Sequence, residues 1–333
     1  MNKKALVLLS GGLDSILATK MMLEQDIETE AVNFLTVFCT CTKKSSCQHE
    51  ARRVADNFGV KLHVMNVTEE YLEIIKNPKH GYGKNMNPCI DCRIFMFKKA
   101  KELMGKIGAS FIVTGEVLGE RPMSQRKEAI GIIEKESGLQ GLVLRPLSAK
   151  NFEPTVPEKE GIVNREAMLD ITGRSRKPQI ALAKSFGIEE YMCPAGGCLL
   201  TDQIFAKRIK DLIKHDEFNL ENIKLLKVGR HFRNNGAKII IGRDKEDNEK
   251  ILNIAKEKDV IVKIKDVAGP VTLIRGDSSF NVIEFAAALT AGYTKEKGKT
   301  SLFAEYQTIP GGMLQTLNIR PMKISAEELN CAG

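Results

Sequence analysis

Seven of the eight cysteines fall in three short stretches: Cys39, Cys41 and Cys47; Cys89 and Cys92; Cys193 and Cys198. Cys331 stands apart near the end and is expected to be inert. A thiolate is both a soft metal ligand and a nucleophile. Clustered cysteines in a chain expected to be cytoplasmic therefore point to metal or sulfur chemistry rather than to disulfides. The pair Cys89-Ile-Asp-Cys92, followed by Arg93, heads a predicted amphipathic helix, Ile94 to Met104. The positive end of such a helix lowers thiol pKa values and suits a metal, a cluster or a persulfide. A zinc knuckle or a redox pair reads the same way, and a single CxxC cannot fill four metal positions, so partners must come from elsewhere. A second chemistry is written in Ser10-Gly11-Gly12-Leu13-Asp14-Ser15. Its glycines let backbone N–H groups approach an anion, its serines add hydroxyl donors, and Asp14 offers a carboxylate to Mg²⁺.

The elements that must hold these groups follow from the apolar pattern. Ala5 to Leu9 is a short run fit for one buried parallel strand, and Ile16 to Leu23 has helical spacing. Strand, glycine turn and helix aim N–H groups and a positive helix end at one point, where a phosphate fits. The run is superficially like a signal peptide, but it feeds directly into the loop and reads as the first strand. Further strands are predicted at Ala31 to Phe38, Lys61 to Val67, Phe111 to Thr114 and Leu142 to Arg145. Helices are predicted at Gln48 to Phe58, Glu69 to Lys76, Lys127 to Lys135, Arg165 to Asp170 and Lys177 to Phe186. The alternation predicts an α/β fold, a doubly wound parallel sheet, over residues 1–205. Ligands of such sheets bind outside the carboxyl ends of the strands, which puts Cys39 and Cys41 near the loop. Residues 206–333 change character. A basic helix at Ile204 to Asp211 leads to strand-like runs at Lys238 to Ile241, Val260 to Ile264 and Val271 to Arg275, with helices at Asn248 to Glu257 and Asn281 to Ala291. This reads as a second, smaller α+β domain.

Composition agrees with two globular domains: 333 residues, 43% hydrophobic and 28% charged. No apolar run reaches the roughly 18 residues of a membrane span, so no membrane association is expected. The net charge of +8 is spread along the chain and permits a nucleic-acid partner without requiring one.

The loop at Ser10 to Ser15 matches the SGGxDS loop of the ATP pyrophosphatases, and no lysine follows the glycines as in GxxxxGK[ST] loops. Gly115-Glu-Val-Leu-Gly119 with Ser124-Gln125 resembles the GE-x-LG…SQ segment of the tRNA 4-thiouridine synthetases, and Asn87-Pro-Cys89 resembles the start of the tRNA 2-thiouridylase motif. Residues 1–205 thus resemble the PP-loop enzymes that thiolate tRNA, and are most similar to the 4-thiouridine synthetase catalytic domain. The resemblance implies an adenine nucleotide alpha hydrolase-like fold. It implies that Ser10, Gly11, Gly12, Leu13, Asp14 and Ser15 hold ATP phosphates with Mg²⁺, and that Phe34, Arg93, Gly115 and Gln125 line the nucleotide pocket. Cluster-dependent members bind a [4Fe-4S] cluster through a CxxC and one distant cysteine, which here implies Cys89, Cys92 and Cys198. Alternatively, Cys89 and Cys198 are catalytic thiols, one carrying a persulfide. Cys39, Cys41 and Cys47, with His49 nearby, are a second candidate site for zinc or for sulfur relay, although their spacing is not a standard one.

The 4-thiouridine synthetases place an RNA-binding module ahead of the loop. Here, instead, the stretch from Gly229 onward resembles the RNA-binding domain of the NFACT family, through Gly229-Arg-His-Phe-Arg233, Ile241-Gly-Arg-Asp244 and Gly292-Tyr-Thr-Lys295. That likeness implies phosphate contacts from Arg230, His231, Arg233 and Arg243. The implied reaction is adenylation of a tRNA uridine oxygen with release of pyrophosphate. Attack by sulfide or a carried persulfide then gives thiouridine, expected to be 4-thiouridine, and AMP. A homodimer is compatible with this reading. Sulfuration or amidation of a small molecule, and a non-catalytic RNA-binding or sulfur-carrier role, are the alternatives.

Overall fold

The computed structural model describes residues 1–39, 47–191 and 198–322, without the side chain of Cys47. The chain divides into two compact units, Met1–Thr201 and Asp202–Gly333.

The first unit runs β1 (Lys4–Leu8), α1 (Leu13–Leu23), β2 (Glu28–Leu35), α2 (Cys47–Phe58), β3 (Lys61–Asn66), α3 (Thr68–Lys76), α4 (Cys89–Ile107), β4 (Phe111–Val113), α5 (Lys127–Ser137), β5 (Val143–Leu144), α6 (Val156–Lys159) and α7 (Lys177–Ser185). Its five strands are all parallel, in the order β3-β2-β1-β4-β5. Successive side chains of a strand point to opposite faces. Ala5 and Val7 of β1 join Phe111 and Val113 of β4 in one apolar layer with α1. Leu6 and Ile112 join the opposite layer with Ile94 and Phe97 of α4. Both faces are covered, which is why these strands read as unbroken apolar runs. The strand order reverses between β1 and β4, and that reversal opens a crevice at their carboxyl ends.

Two local expectations shift. The fourth helix begins at Cys89, directly after Pro88, so the CxxC is the helix's first turn rather than a prelude to it. Arg165 to Asp170 is not a full helix but a short 3-10 turn, Arg165–Ala167.

The second unit runs α8 (Gln203–Lys214), α9 (Leu220–Leu225), β6 (Arg230–Asn234), β7 (Ala237–Ile241), α10 (Lys245–Ile254), β8 (Val260–Ile264), β9 (Thr272–Arg275), α11 (Phe280–Gly292), β10 (Leu302–Thr308) and β11 (Gln315–Ile319). Its sheet is antiparallel, in the order β11-β10-β8-β9-β7-β6. Ile239 and Ile241 pack toward α11, and Ile240 packs with Ile251 on the other face. Strands β6, β10 and β11 lie outside the predicted set because Arg, His, Glu, Gln and Asn interrupt their apolar residues. Among the described residues no helix is long and apolar enough to cross a membrane.

Candidate active site

The loop between β1 and α1 lies at the crevice. Gly11 has φ +78°, and a Cβ there would lie 2.8 Å from the Glu50 Cβ and 3.0 Å from the Ala51 nitrogen of α2, so only glycine fits. The serines brace the turn: the Ser15 hydroxyl donates to the Gly12 carbonyl at 2.8 Å, and the Gly12 N–H donates to Ser10 Oγ at 3.3 Å. Leu13 is fully buried in the core, so its side chain anchors the loop and only its backbone is left to face an anion.

Across the crevice, Gly115 follows β4. A Cβ at Gly115 would lie 2.4 Å from the Asp14 carbonyl, so the two strand-end loops touch backbone to backbone. The next residue, Glu116, is buried and bound on both sides. Arg93 Nε donates to it at 2.8 Å and Arg145 Nε at 3.1 Å. Burial alone would raise this carboxyl; the two guanidiniums outweigh it and hold it below its ordinary range. Arg93 also stacks over Phe97. Gln125 is buried and accepts from the Arg121 N–H at 2.9 Å, closing the loop that starts at Gly115. Phe34 is half-buried against the α4 side of the sheet. The Arg93 guanidinium is thus engaged with Glu116, and the Gln125 side-chain carbonyl with the Arg121 N–H.

Three groups that no motif announced reach the loop from the far side. Gly173 N–H donates to the Leu118 carbonyl at 2.8 Å, and Leu118 and Thr172 form a parallel bridge. This pins the start of α7 beside the strand-end loop. Arg176, the residue capping α7, comes within 3.9 Å of the Asp14 carboxylate, and Gln179 lies fully buried beside it. Burial raises the Asp14 pKa against the pull of Arg176 and Arg121. Burial, then the Asp14 charge, raises Glu120 as well.

The thiols converge at the same edge of the sheet. Backbone hydrogen bonds stitch their segments together. The Leu199 N–H donates to the Phe38 carbonyl at 3.1 Å, and the Met86 N–H to the Leu200 carbonyl at 3.0 Å. Asn85 Nδ2 donates to the Thr201 carbonyl at 2.7 Å. Asp91 fixes the loop before α4 by accepting from the Lys79 and His80 N–H groups at 3.1 and 3.0 Å. Cys39, Cys89, Cys92 and Cys198 are all partly buried and close enough to act on one another's ionisation. Burial pushes the Cys92 thiol up to about 11, against the pull of Tyr71 and Arg93, and pushes Cys198 up to about 12. This corrects the expected lowering for Cys92: desolvation outweighs the helix end. The Tyr71 hydroxyl is sealed off from solvent and faces Cys92. Tyr71 packs edge-on against Phe38 and stacks on Phe95.

No group of three or more His, Cys, Asp or Glu among the described residues is arranged to hold a single metal ion. The donor set itself, three to four thiols gathered from separate segments, has the soft-ligand chemistry of an iron–sulfur cluster. Cys39 also lies close enough to Cys92 and Cys198 to act on their ionisation. Cys41 and Cys193 lie outside the described residues, as does the side chain of Cys47, and the zinc expectation with them.

In the second unit, the four residues expected to meet RNA are placed very differently. His231 is buried, with its ring against the Val228 carbonyl at 2.8 Å, so it has no face for a phosphate. Arg233 donates to Asp211 at 2.8 and 2.9 Å and also binds Glu217. These two are corrected to structural roles: strand pairing turns them inward. Arg230 stacks over Tyr293 and reaches the Gly242 carbonyl at 3.3 Å. Arg243 pairs with Asp247 while 48% of its side chain stays exposed.

Residues 1–165 match the family described as "Thiamine biosynthesis protein (ThiI)", and residues 229–330 match the "NFACT protein RNA binding domain". A tRNA-specific 2-thiouridylase MnmA of Sulfurimonas denitrificans is 32% identical over 122 residues, 35% of this chain and 36% of the relative. A probable tRNA sulfurtransferase of Thermoanaerobacter pseudethanolicus is 33% identical over 148 residues, 44% of this chain and 37% of the relative. The chain thus spans about a third of the length of these curated relatives. Among solved structures, a 4-thiouridine synthetase–RNA complex with bound ATP aligns at 23% identity and TM-score 0.37, covering 57% of this chain and 54% of that one.

Proposed function

We propose that this chain, a PP-loop domain of the ThiI type followed by an RNA-binding domain of the NFACT type, is an ATP-dependent tRNA sulfurtransferase. One observation supports this above the others. A continuous run of contacts joins the thiols to the phosphate loop: Cys92, then Arg93, its ion pair with Glu116, then Gly115 against Asp14. These contacts support placing the turn that would activate a nucleotide and the edge that would handle sulfur on one rim of the sheet.

In this reading the backbone N–H groups of Gly11 to Ser15 hold the β,γ-phosphates of ATP, and Asp14 holds the accompanying Mg²⁺. A uridine carbonyl oxygen attacks the α-phosphorus. The bond to the bridging oxygen breaks, and pyrophosphate leaves with its charge stabilised by the loop. The base now carries AMP on oxygen, a far better leaving group than oxide. Sulfide attacks the activated carbon, AMP departs, and thiouridine remains, with 4-thiouridine as the proposed product. If a thiol-borne persulfide attacks instead, its outer sulfur stays on the carbon and a second thiol breaks the S–S bond by forming a disulfide with the carrier thiol. Cys89, Cys92 and Cys198 would hold a [4Fe-4S] cluster. Such a group, when bound, supplies an iron open to a sulfide. In its absence the raised pKa values keep Cys92 and Cys198 as neutral thiols at pH 7. The second unit would dock the RNA. His231 and Arg233 are engaged internally, so that role falls to exposed cations such as Arg243, Lys263 and Lys265.

The test is an anaerobic incubation with bulk tRNA and ATP. Pyrophosphate release that depends on the tRNA supports the reading. Release that is indifferent to tRNA, or none at all, contradicts it.

A further inference from the structure

The strongest unassigned feature is a set of unsatisfied polar atoms beside the loop. Asp14 Oδ1, Arg176 Nε and both amide atoms of Gln179 are buried without a well-formed hydrogen bond among the described residues, while Gln179 lies close enough to Asp14 to pull its pKa down. A buried polar atom without a partner costs about 1–3 kcal/mol, and folded proteins seldom gather several in one place. Gln179 is 0% exposed and faces Asp14. Arg176 stands 3.9 Å from Asp14, too far for a hydrogen bond, with its fork uncommitted to that carboxylate. The placement is built in, because the Leu118–Thr172 bridge and the Gly173-to-Leu118 hydrogen bond set the start of α7 against the loop after β4. These residues also lie beyond positions 1–165, the part that matches the ThiI family.

We propose that Arg176 closes the phosphate pocket from the far side and grips the polyphosphate of ATP, while Gln179 holds Asp14 in register with it. A guanidinium fork presents paired donors to phosphate oxygens, and 21% of the Arg176 side chain stays exposed for such a pair. When a polyphosphate takes Arg176, the Asp14 carboxylate is freed to face a cation. The competing role is plain neutralisation of the buried Asp14, in which Arg176 touches no ligand. The inference rests on reading the loop as a polyphosphate site.

Calorimetric titration of the full chain separates the cases, with Mg²⁺ present and ATP, inorganic pyrophosphate and AMP as probes. R176Q is expected to weaken ATP and pyrophosphate by about 10- to 100-fold, the worth of a charge-assisted pair, and to leave AMP within about twofold. R176K, which keeps the charge but not the fork, is expected to recover part of the loss. Equal affinity of R176Q and the unaltered protein for ATP and pyrophosphate overturns the assignment alone. Parallel losses for all three probes overturn it in favour of the neutralising role. If the unaltered protein binds neither ATP nor pyrophosphate, the sulfurtransferase reading falls as well. Should R176Q not fold, R176K decides: unchanged ATP and pyrophosphate affinity overturns the assignment, and a selective loss of both supports it.

Discussion

In the second unit, Asp211 takes hydrogen bonds from Arg233 and from Lys238, the latter at 2.8 Å, while Arg275 is tied to Asp259 and Asn222, each at 2.9 Å. At the rim of the first unit, Asp14, Arg176 and Gln179 each keep a buried polar atom without a partner. Both places bury charge, but the Asp211 and Asp259 networks resolve it internally and the rim at Asp14 leaves it open. A scaffold gains from closing its polar networks, because an unmatched charge in low dielectric is costly. A binding site must leave part of that need for its ligand. The contrast explains why His231 and Arg233, two of the four basic residues that first suggested RNA contact, are structural, and why residues carrying no recognisable motif stand beside the loop at Ser10 to Ser15.

The sharpest way to test the contrast is to remove sulfur handling while keeping nucleotide handling. Cys198→Ser is expected to lower thiouridine formation by about 10³-fold or more, the scale of losing an essential nucleophile or ligand. Pyrophosphate release should survive within about threefold, so loss of both together would show that the thiols are not a separate function of the rim. Next comes the closed network. Asp211→Ala leaves Lys238 buried without this carboxylate and Arg233 with Glu217 alone, and should cost the second unit about 3 kcal/mol. Hydrogen exchange at the amides of β6 and β7 reports this, while ATP affinity is expected to stay unchanged. Third, Gly115→Ala drives a Cβ into the Asp14 backbone and should slow pyrophosphate release by about 100-fold, the penalty of displacing reacting groups by an ångström. An unaffected rate would mean that the two strand-end loops do not need to touch.

The smallest effect concerns pH. Burial, with Arg208 and Lys238 nearby, holds His231 well below 6.5, so it is neutral in the folded state. The unfolded chain takes up a proton near pH 6.5 that the folded chain refuses. Stability is therefore complete above that value and declines as pH falls below it, by at most about 1.4 kcal/mol per pH unit. His231→Gln should flatten the decline, as read by urea unfolding from pH 7 to pH 5.

What could be read from the chain itself follows the same division. The Ser10 to Ser15 loop and the Gly115 segment are local: a few adjacent residues carry the geometry, and the parallel strands beneath them are apolar on both faces. The second sheet was half hidden because β6, β10 and β11 mix polar and apolar residues, as strands solvated on one side do. His231 and Arg233 looked like a basic patch, and only the β6–β7 register reveals that they turn inward. The CxxC promised acidified thiols, but burial reverses the sign for Cys92. Arg176 and Gln179 could not be found in sequence, since they reach Asp14 only through the Leu118–Thr172 bridge.

In the proposed reaction, activation and sulfur transfer are two halves of one turnover at one rim. Counting both products in a single anaerobic reaction with tRNA, ATP and sulfide tests that most directly. One pyrophosphate released for each thiouridine gained is the predicted result. Pyrophosphate accumulating with no thionucleoside in the digested tRNA, under conditions where sulfide is abundant, would contradict it.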